Sequence, residues 1–369
     1  MSEDNKKRLK VGITIGDTNG IGPEVILKAI GAPEMMEMMI PVIYGSSKIM
    51  NYHRNACNLT GFLLNYTKSA AHLKENLPNL VECIDQDIKI ELGQASKQAG
   101  LASFTALEAA VRDLKAGLID VLVTAPISKE NIQSEQFQFP GHTEYLESAA
   151  GDDNKALMVM CTENLRIALA TIHLPLSQVP AALTIEGIRE KLRLLNNSLK
   201  RDFNIDGPRI AVLSLNPHAG ENGILGTEER DIILPAMMQA LDEEGIQCFG
   251  PYASDGFFGA RHYRRFDGVL AMYHDQGLTP FKSIAMDEGV NFTAGLPFVR
   301  TSPDHGTGYD IVGQGCANEA SLRHAIYTAI DIYRNRIRYD KSRENPLPKL
   351  FQDRGRDNVK LDLTKGEEA

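Results

Sequence analysis

The chain has 369 residues, of which 43% are hydrophobic and 24% are charged, a composition typical of a soluble globular protein long enough for two cores. Its net charge of −9 argues against a nucleic-acid partner, which would require a basic face. Dispersed cysteines, a charged start without a signal sequence and the lack of a long apolar run predict a cytoplasmic protein with no membrane partner.

Strands and helices alternate in the first part of the chain, which predicts a mostly parallel α/β sheet. A strand at Lys10–Ile15 leads into a glycine-rich loop and a helix that begins near Pro23. This loop matches neither the G-x-x-x-x-G-K-S/T nor the G-x-G-x-x-G pattern, so it carries no nucleotide-binding fingerprint. Apolar residues at helical spacing predict a helix over about 97–116, and Asp120–Thr124 predicts a buried strand.

The second part of the chain continues the alternation. Residues 156–162 and 165–172 predict a β-hairpin, and Thr184 is a candidate N-cap for the amphipathic helix that follows it. Two further strands are predicted at Arg209–Leu215 and Gly268–Met272. A turn at Arg300–Gly308 then leads into a last helix over about 318–336.

Three histidines share one position in this pattern, because His173, His218 and His274 each follow a predicted strand. Strands of one domain would bring such residues to a common edge of the sheet, where ligands of α/β proteins bind. Three neutral imidazoles suit a divalent metal, with Zn²⁺ or Co²⁺ favoured, and Asp275 is a candidate partner that would orient His274. The alternative is that each is a solvated histidine, which is the commoner case for a single one.

Cationic and amide side chains follow the third of these histidines. Lys282, Asn291 and Arg300 suit a phosphate or carboxylate group, although each alone is typical of a surface residue. We expect Gly277 and Pro280 to form a turn that sets the distance between His274 and Lys282. A metal beside an anion-binding group would suit a phosphorylated hydroxy acid.

Several motifs resemble the 4-hydroxythreonine-4-phosphate dehydrogenase family, over a match that runs from about Lys10 to Arg334. They are Gly16-Asp17, Gly20–Glu24, Gly141–Tyr145, Asn216–Glu221, Tyr273–Gly277 and Asp304–Gly308. The resemblance implies a two-domain isocitrate/isopropylmalate dehydrogenase-like fold, an active-site cleft between the domains and a homodimer with the site at its interface. We expect residues 1–131 and 306–340 to form domain 1, residues 132–305 to form domain 2 with the metal ligands and the dimer interface, and residues 341–369 to form a polar extension.

The resemblance also implies roles for individual residues. It implies that His173, His218 and His274 ligate the metal, one of them from the partner subunit, and it implies a nucleotide-side loop that includes Asp304, His305, Gly306 and Thr307. The residues that it implies for substrate binding are His142, Thr143, Lys282, Asn291 and Arg300. The catalytic residues would be His274 with Asp275 or Lys282, and the sequence does not choose between the last two as the base.

The reaction implied is the oxidation of 4-phosphooxy-L-threonine to 2-amino-3-oxo-4-phosphooxybutanoate, which decarboxylates to 3-amino-2-oxopropyl phosphate, in pyridoxine 5′-phosphate biosynthesis. It would use NAD or NADP and a divalent metal such as Zn²⁺, Co²⁺ or Mg²⁺. The alternative is a sister enzyme that oxidises 4-phospho-D-threonate or D-erythronate with the same metal site. Thr18-Asn19 and Gly308-Tyr309 depart from the common family pattern, which leaves the choice between NAD and NADP open.

Overall fold

The computed structural model describes residues 7–59, 61, 63–84, 87–135 and 137–345. Its strands are β1 (Leu9–Thr14), β2 (Met39–Gly45), β3 (Asn65–Thr67), β4 (Asn79–Glu82), β5 (Val121–Thr124), β6 (Leu157–Cys161), β7 (Arg166–Leu169), β8 (Ile210–Leu213), β9 (Cys248–Tyr252), β10 (Gly268–Ala271), β11 (Val290–Ala294) and β12 (Arg300–Pro303). Its α-helices are α1 (Gly22–Ile30), α2 (Glu34–Met38), α3 (Ser47–Ala56), α4 (Lys97–Lys115), α5 (His142–Ala150), α6 (Val179–Ala182), α7 (Ile185–Arg201), α8 (Leu234–Glu244), α9 (Ser254–Gly259), α10 (His274–Ala285) and α11 (Ala320–Lys341).

All these strands form one sheet, in the order β3-β4-β2-β1-β5-β12-β11-β6-β7-β10-β8-β9. β11 is antiparallel to both of its neighbours, and β6 and β7 form the predicted hairpin. The other pairs are parallel, as expected where helices connect successive strands. The predicted α/β class with a mostly parallel sheet is therefore confirmed.

The central strands are buried because helices cover the sheet. Every residue of β5 is buried, a pattern typical of a strand with both faces covered. α4 packs against β1, β2 and β5, whereas α11 packs against β5, β11 and β12. Both long amphipathic helices that the sequence predicts begin at a side-chain cap: Ser96 accepts a hydrogen bond from the Ala99 amide, and Thr184 accepts one from the Gly187 amide.

One predicted turn is wrong and a second, predicted from Arg300, begins only at Asp304; both corrections concern candidate site residues. The stretch from His274 to Lys282 is the start of α10, with Pro280 inside the helix. Gly277 serves close packing there, because a Cβ on it would lie 2.7 Å from Leu169 Cδ2. Arg300 begins the buried strand β12 and is not part of a turn. Burial against the sheet overrides the local turn preference of Gly and Pro in the first case.

The domain boundaries stay predictions, and residues 346–369 of the expected polar extension lie outside the described residues. β5, which we expect in the first domain, pairs with β12, so the sheet continues from one predicted domain into the next. In the part of the chain that the structure describes, we find no helix long and apolar enough to cross a membrane.

Candidate functional site

A cavity of about 250 Å³ opens beside the carboxyl ends of β5 and β12. This is the edge at which α/β sheets bind ligands. It collects candidate residues from α5, β11, β12 and the segments after β7 and β10. The predicted site residues that line it are His142, Thr143, His173, His274, Asn291, Arg300, Asp304, His305 and Gly306.

Arg300 is the main cationic group of the cavity wall, and it is only 2% exposed. Its Nε and Nη2 donate to Thr124 Oγ1 at 3.1 and 2.6 Å, and its Nη1 donates to Thr293 Oγ1 at 3.0 Å. Burial lowers the pKa of Arg300 to about 9, and Glu144 opposes this only at a distance. Two neutral hydroxyls therefore hold a cation that lacks an ion pair among the described residues, which suits an anionic ligand.

His142 presents a neutral imidazole to the same cavity. Burial lowers its pKa well below the usual value, and the nearby charges of Arg300 and Lys129 lower it further. A neutral ring has one donor nitrogen and one acceptor nitrogen, so His142 can bind a hydroxyl or an anion without adding a charge.

Several buried polar atoms around the cavity have no hydrogen-bond partner among the described residues. They are His142 Nε2, Asn291 Oδ1, Asp304 Oδ2 and His305 Nε2. Buried polar groups in folded proteins are nearly always paired, so a cluster of unpaired ones indicates a site that a polar ligand completes. Each belongs to a residue that lines the cavity.

His173 and His274 come together at one side of the cavity, with ring centroids 6.3 Å apart. A carboxylate lies beside Nδ1 of each ring: Asp275 Oδ1 is 2.7 Å from His274, and Glu144 Oε1 is 3.6 Å from His173. The second distance is too long for a hydrogen bond, so that contact is electrostatic. Contact with His173 lowers the pKa of Glu144. Carboxylates at Nδ1 favour the tautomer that leaves Nε2 as the metal-binding atom.

His218 stands apart from this pair, exposed in the segment Pro217–Gly223. His218 and the five residues after it have positive φ angles, an uncommon run because only two of the six are glycine. Glu229 Oε1 holds the base of the segment by accepting from the Leu215 and Asn216 amides at 2.8 and 2.7 Å. Across the described residues, no three His, Cys, Asp or Glu side chains are grouped so as to hold a metal ion.

Lys282 lies on α10 and does not line the cavity in the described part of the chain. Its Nζ contacts Asp304 Oδ1 at 3.0 Å and donates to the Asp304 carbonyl at 3.2 Å. Burial raises the pKa of Asp304, and Lys282 opposes that rise. Lys282 therefore fixes the residue that begins the expected nucleotide-side loop. Asp275 and Thr307 also lie outside the lining residues.

Sequence reasoning missed three residues that shape the cavity, namely Thr124, Lys129 and Glu144. Lys129 Nζ lies 3.1 Å from His173 Nε2, and Thr124 holds Arg300. Thr124 is the last residue of β5, and Lys129 lies in the segment after it. This is the same strand-end position that identified the candidate histidines. Glu144 follows His142 and Thr143 in a motif already chosen, so its carboxylate was a signal that could have been used.

Known proteins resemble this chain over most of its length. Over residues 37–329 the chain matches the family model described as pyridoxal phosphate biosynthetic protein PdxA. It is 52% identical over 361 residues to 4-hydroxythreonine-4-phosphate dehydrogenase of Bacteroides thetaiotaomicron, which covers 98% of both chains. It is 43% identical over 329 residues to the protein of the same name from Sulfurihydrogenibium sp., which covers 89% of this chain and 99% of the relative.

A solved structure has a similar fold. The crystal structure of 4-hydroxythreonine-4-phosphate dehydrogenase from Klebsiella pneumoniae superposes with a TM-score of 0.77 at 32% sequence identity. The match covers 89% of this chain and 99% of that one. A relative whose full length is matched at this identity has the same arrangement of strands and helices.

Proposed function

This chain belongs to the family of the pyridoxal phosphate biosynthetic protein PdxA, and we propose that it is an NAD(P)-dependent dehydrogenase of 4-phosphooxy-L-threonine. The product, 2-amino-3-oxo-4-phosphooxybutanoate, would lose carbon dioxide to give 3-amino-2-oxopropyl phosphate. The observation that carries the proposal is the buried Arg300 in a cavity ringed by unpaired polar atoms. Such a cavity favours a small anionic ligand with several hydroxyl or amine groups.

The roles of the cavity residues follow from their charges. Arg300, fixed by Thr124 and Thr293, would bind the phosphate or the carboxylate of the substrate as a planar fork. The neutral ring of His142, with Thr143 beside it, would hydrogen-bond a polar group of the substrate. Asn291 Oδ1 has no partner and would accept from a hydroxyl or ammonium group. Together these groups would orient the hydroxyl-bearing carbon toward the cofactor.

Residues Asp304, His305, Gly306 and Thr307 would form the nucleotide side of the site. The first three line the cavity, and Ile21 N donates to the Thr307 carbonyl at 2.8 Å, which anchors the segment to the first βα loop. The open backbone around Gly306, where a Cβ would meet no atom within 4 Å, leaves room for a ligand to approach closely.

A divalent metal would be held by His173 and His274, whose Nδ1 atoms face carboxylates. An ion bound there, Zn²⁺, Co²⁺ or Mg²⁺, would act as a Lewis acid that makes the substrate hydroxyl more acidic. Glu144 beside Nδ1 would orient the His173 ring, whereas Lys129, whose Nζ lies 3.1 Å from His173 Nε2, would have to move aside for an ion to bind at that nitrogen. Asp275 and Lys282 remain the two candidates for the base that takes the hydroxyl proton; neither lines the cavity, so either would have to turn toward the substrate, and Lys282→Met and Asp275→Asn variants would separate the two.

Decarboxylation requires little of the protein once the ketone has formed. The carbonyl at C3 can accept the electron pair of the breaking bond between C1 and C2, and carbon dioxide leaves. Arg300 and the neutral His142 can stabilise the enolate oxygen that develops, because both line the cavity.

We further propose a homodimer in which His218 completes the metal site of the partner subunit. His218 is exposed, and Ile224 near it is 80% exposed. α8 adds three exposed apolar side chains on one stripe, Leu234, Met238 and Leu241. An apolar surface of this kind beside an unused ligand favours an interface between copies of the chain.

Activity and metal dependence can be tested in one assay. Chelator-stripped protein is mixed with NAD or NADP and 4-phosphooxy-L-threonine, and reduction of the cofactor is followed with and without added Zn²⁺, Co²⁺ or Mg²⁺. We expect turnover only with the ion, and loss of turnover in His274→Ala but not in the control His72→Ala, whose side chain is exposed. Turnover in the absence of any divalent ion would contradict the metal site.

The substrate is tested in the same assay with 4-phospho-D-threonate and 4-phospho-D-erythronate. A higher kcat/KM with either would replace the proposed substrate by the sister reaction. It would leave the dehydrogenase and its metal site intact.

The shared site is tested by mixing two inactive variants, His173→Ala and His218→Ala, and allowing the subunits to exchange. If His218 serves the partner's site, half of the dimers are mixed and carry one intact site, so about a quarter of wild-type activity returns. If all three histidines belong to one chain, the mixture stays inactive.

A further inference from the structure

A chain of hydrogen bonds joins the first βα loop to the expected nucleotide-side loop, and none of its side chains lines the cavity. Tyr309 Oη donates to Asp17 Oδ2 at 2.7 Å, and Asn131 Nδ2 donates to Tyr309 Oη at 3.1 Å. Asp17 Oδ1 accepts from the Asn19 amide at 2.9 Å. Both ends of the Asp17 carboxylate are therefore in use, and one of the bonds spans 292 residues of sequence.

The Asp17 carboxylate is buried, and no cation pairs with it among the described residues. Its side chain is 1% exposed, and burial raises its pKa, whereas the hydrogen bond from Tyr309 lowers it. A charged acceptor in such surroundings forms strong hydrogen bonds with the donors that it has. The phenol of Tyr309 is the only side-chain hydroxyl that bonds to it in the described structure.

The loop held in this way, residues 304–315, is bonded to the rest of the protein at several points: Asp304 N donates to Ser321 Oγ at 3.0 Å, and Lys28 Nζ donates to the Gly315 carbonyl at 2.8 Å. Three more contacts hold its first half. Lys282 binds Asp304 at its start, the Thr307 carbonyl accepts from Ile21, and Tyr309 binds Asp17. The middle contact is so close that a Cβ on Gly20 would lie 2.6 Å from the Thr307 carbonyl oxygen. The stretch between the first and third points includes His305 and Gly306, which form part of the cavity wall.

We propose that Tyr309 is a positioning residue, which holds loop 304–315 against Asp17 and thereby sets the affinity of the site for the nicotinamide cofactor. The proposal rests on the proposed function for the identity of that ligand. Because Tyr309 does not line the cavity, its effect reaches a ligand only through the position of the loop. Loss of the phenol oxygen should therefore weaken cofactor binding and leave the chemical step unchanged.

The test is Tyr309→Phe, which removes one oxygen and keeps the ring. A hydrogen bond to a charged group is worth at most about 10- to 100-fold, and the remaining contacts at Asp304, Thr307 and Gly315 still hold the loop in part, so we expect KM for NAD(P) to rise about 3- to 20-fold. We expect kcat and KM for the phosphorylated substrate to change by less than about 2-fold. Hydrogen exchange of the metal-free, ligand-free protein should be faster in loop 304–315 of the variant.

The matched control is Tyr333→Phe, since Tyr333 Oη approaches Asp120 Oδ1 at only 3.5 Å. We expect it to change neither KM nor loop exchange. A second pair, Asp17→Asn and Asp17→Ala, covers the case in which loss of the phenol unfolds the chain. The amide oxygen of Asn can still accept from Tyr309, so Asp17→Asn should keep loop protection that Asp17→Ala loses.

Unchanged KM for the cofactor together with unchanged exchange in loop 304–315 would overturn the proposal. So would an equal rise of both KM values, which indicates a general loss of structure. If the wild-type protein reduces no cofactor with any of the substrates, the proposed function fails. The exchange data then decide the role of Tyr309 in holding the loop by themselves, and equal protection in both proteins rejects it.

Discussion

Replacing Arg300 by Met should abolish anion binding at little cost in stability. Burial lowers the pKa of Arg300 from 12.5 to about 9, which corresponds to about 5 kcal/mol against the charged form. Two hydroxyls offset a similar amount, because Thr124 Oγ1, shared by Nε and Nη2, and Thr293 Oγ1 each contribute about 1.5–3 kcal/mol as an acceptor from a charged group. The net contribution of the guanidinium to the free energy of unfolding should therefore lie within about 2 kcal/mol of zero.

Arg336 provides a matched control, because it is also buried but has an ion-pair partner. Its Nε donates to Asp202 Oδ1 at 2.6 Å, and both side chains are nearly inaccessible. Arg336→Met would leave the Asp202 carboxylate buried and uncompensated, which costs about 3–5 kcal/mol. The two variants remove the same group, so the difference between them measures the missing ion pair at Arg300.

The assay is urea unfolding with and without inorganic phosphate, followed by steady-state kinetics. Phosphate at 100 times its Kd stabilises a protein that binds it by about 2.7 kcal/mol, and we expect this for the wild type and for Arg336→Met but not for Arg300→Met. We also expect Arg300→Met to lose at least about 100-fold in kcat/KM, since the charge-assisted fork is gone. A loss of stability as large as that of Arg336→Met, or equal stabilisation by phosphate, would refute this account.

Two other predictions follow from buried charges. Lys282→Met should lower the free energy of unfolding by about 1–3 kcal/mol, since the buried Asp304 carboxylate would lose its cation. Adding Asp304→Asn should restore most of the lost stability. If the two substitutions instead cause additive losses in urea unfolding, the pairing is contradicted. Burial lowers the pKa of His53. Below about pH 6.5, His53 is therefore protonated in the unfolded chain but stays neutral in the folded chain, and the free energy of unfolding falls by up to about 1.4 kcal/mol per pH unit. His53→Gln can still donate to the Thr18 carbonyl and should lose less stability than the wild type between about pH 7.5 and 5.5; equal losses would argue against this assignment.

Much of the candidate site could be predicted because its residues have local signals. His173 follows β7, His142 and His274 begin α5 and α10, and Asn291 lies near the start of β11, all at places where polar residues interrupt an apolar run. Parallel strands bring such interruptions to one edge whatever their distance in sequence. The alternation of strands and helices is also a local property, and it was enough to predict the α/β class.

The predictions that were wrong concern residues whose conformation depends on their tertiary surroundings. Gly277 and Pro280 have the composition of a turn, but they lie in α10, which packs on β7 and β10 with Gly277 close to Leu169. The burial of Arg300 follows from its place in β12, between β5 and β11, and no periodicity in its own neighbourhood predicted a strand there.

Local sequence patterns are enough to predict the layered α/β class and the set of polar residues at the strand ends. The tertiary structure decided which of these meet. It brings His173 and His274 together and leaves His218 exposed, and it joins Arg300 to Thr124 across 176 residues and Tyr309 to Asp17 across 292. Hydrophobic periodicity records the direction in which each side chain points, whereas contacts between distant residues depend on strand order and register, which only the packed sheet fixes.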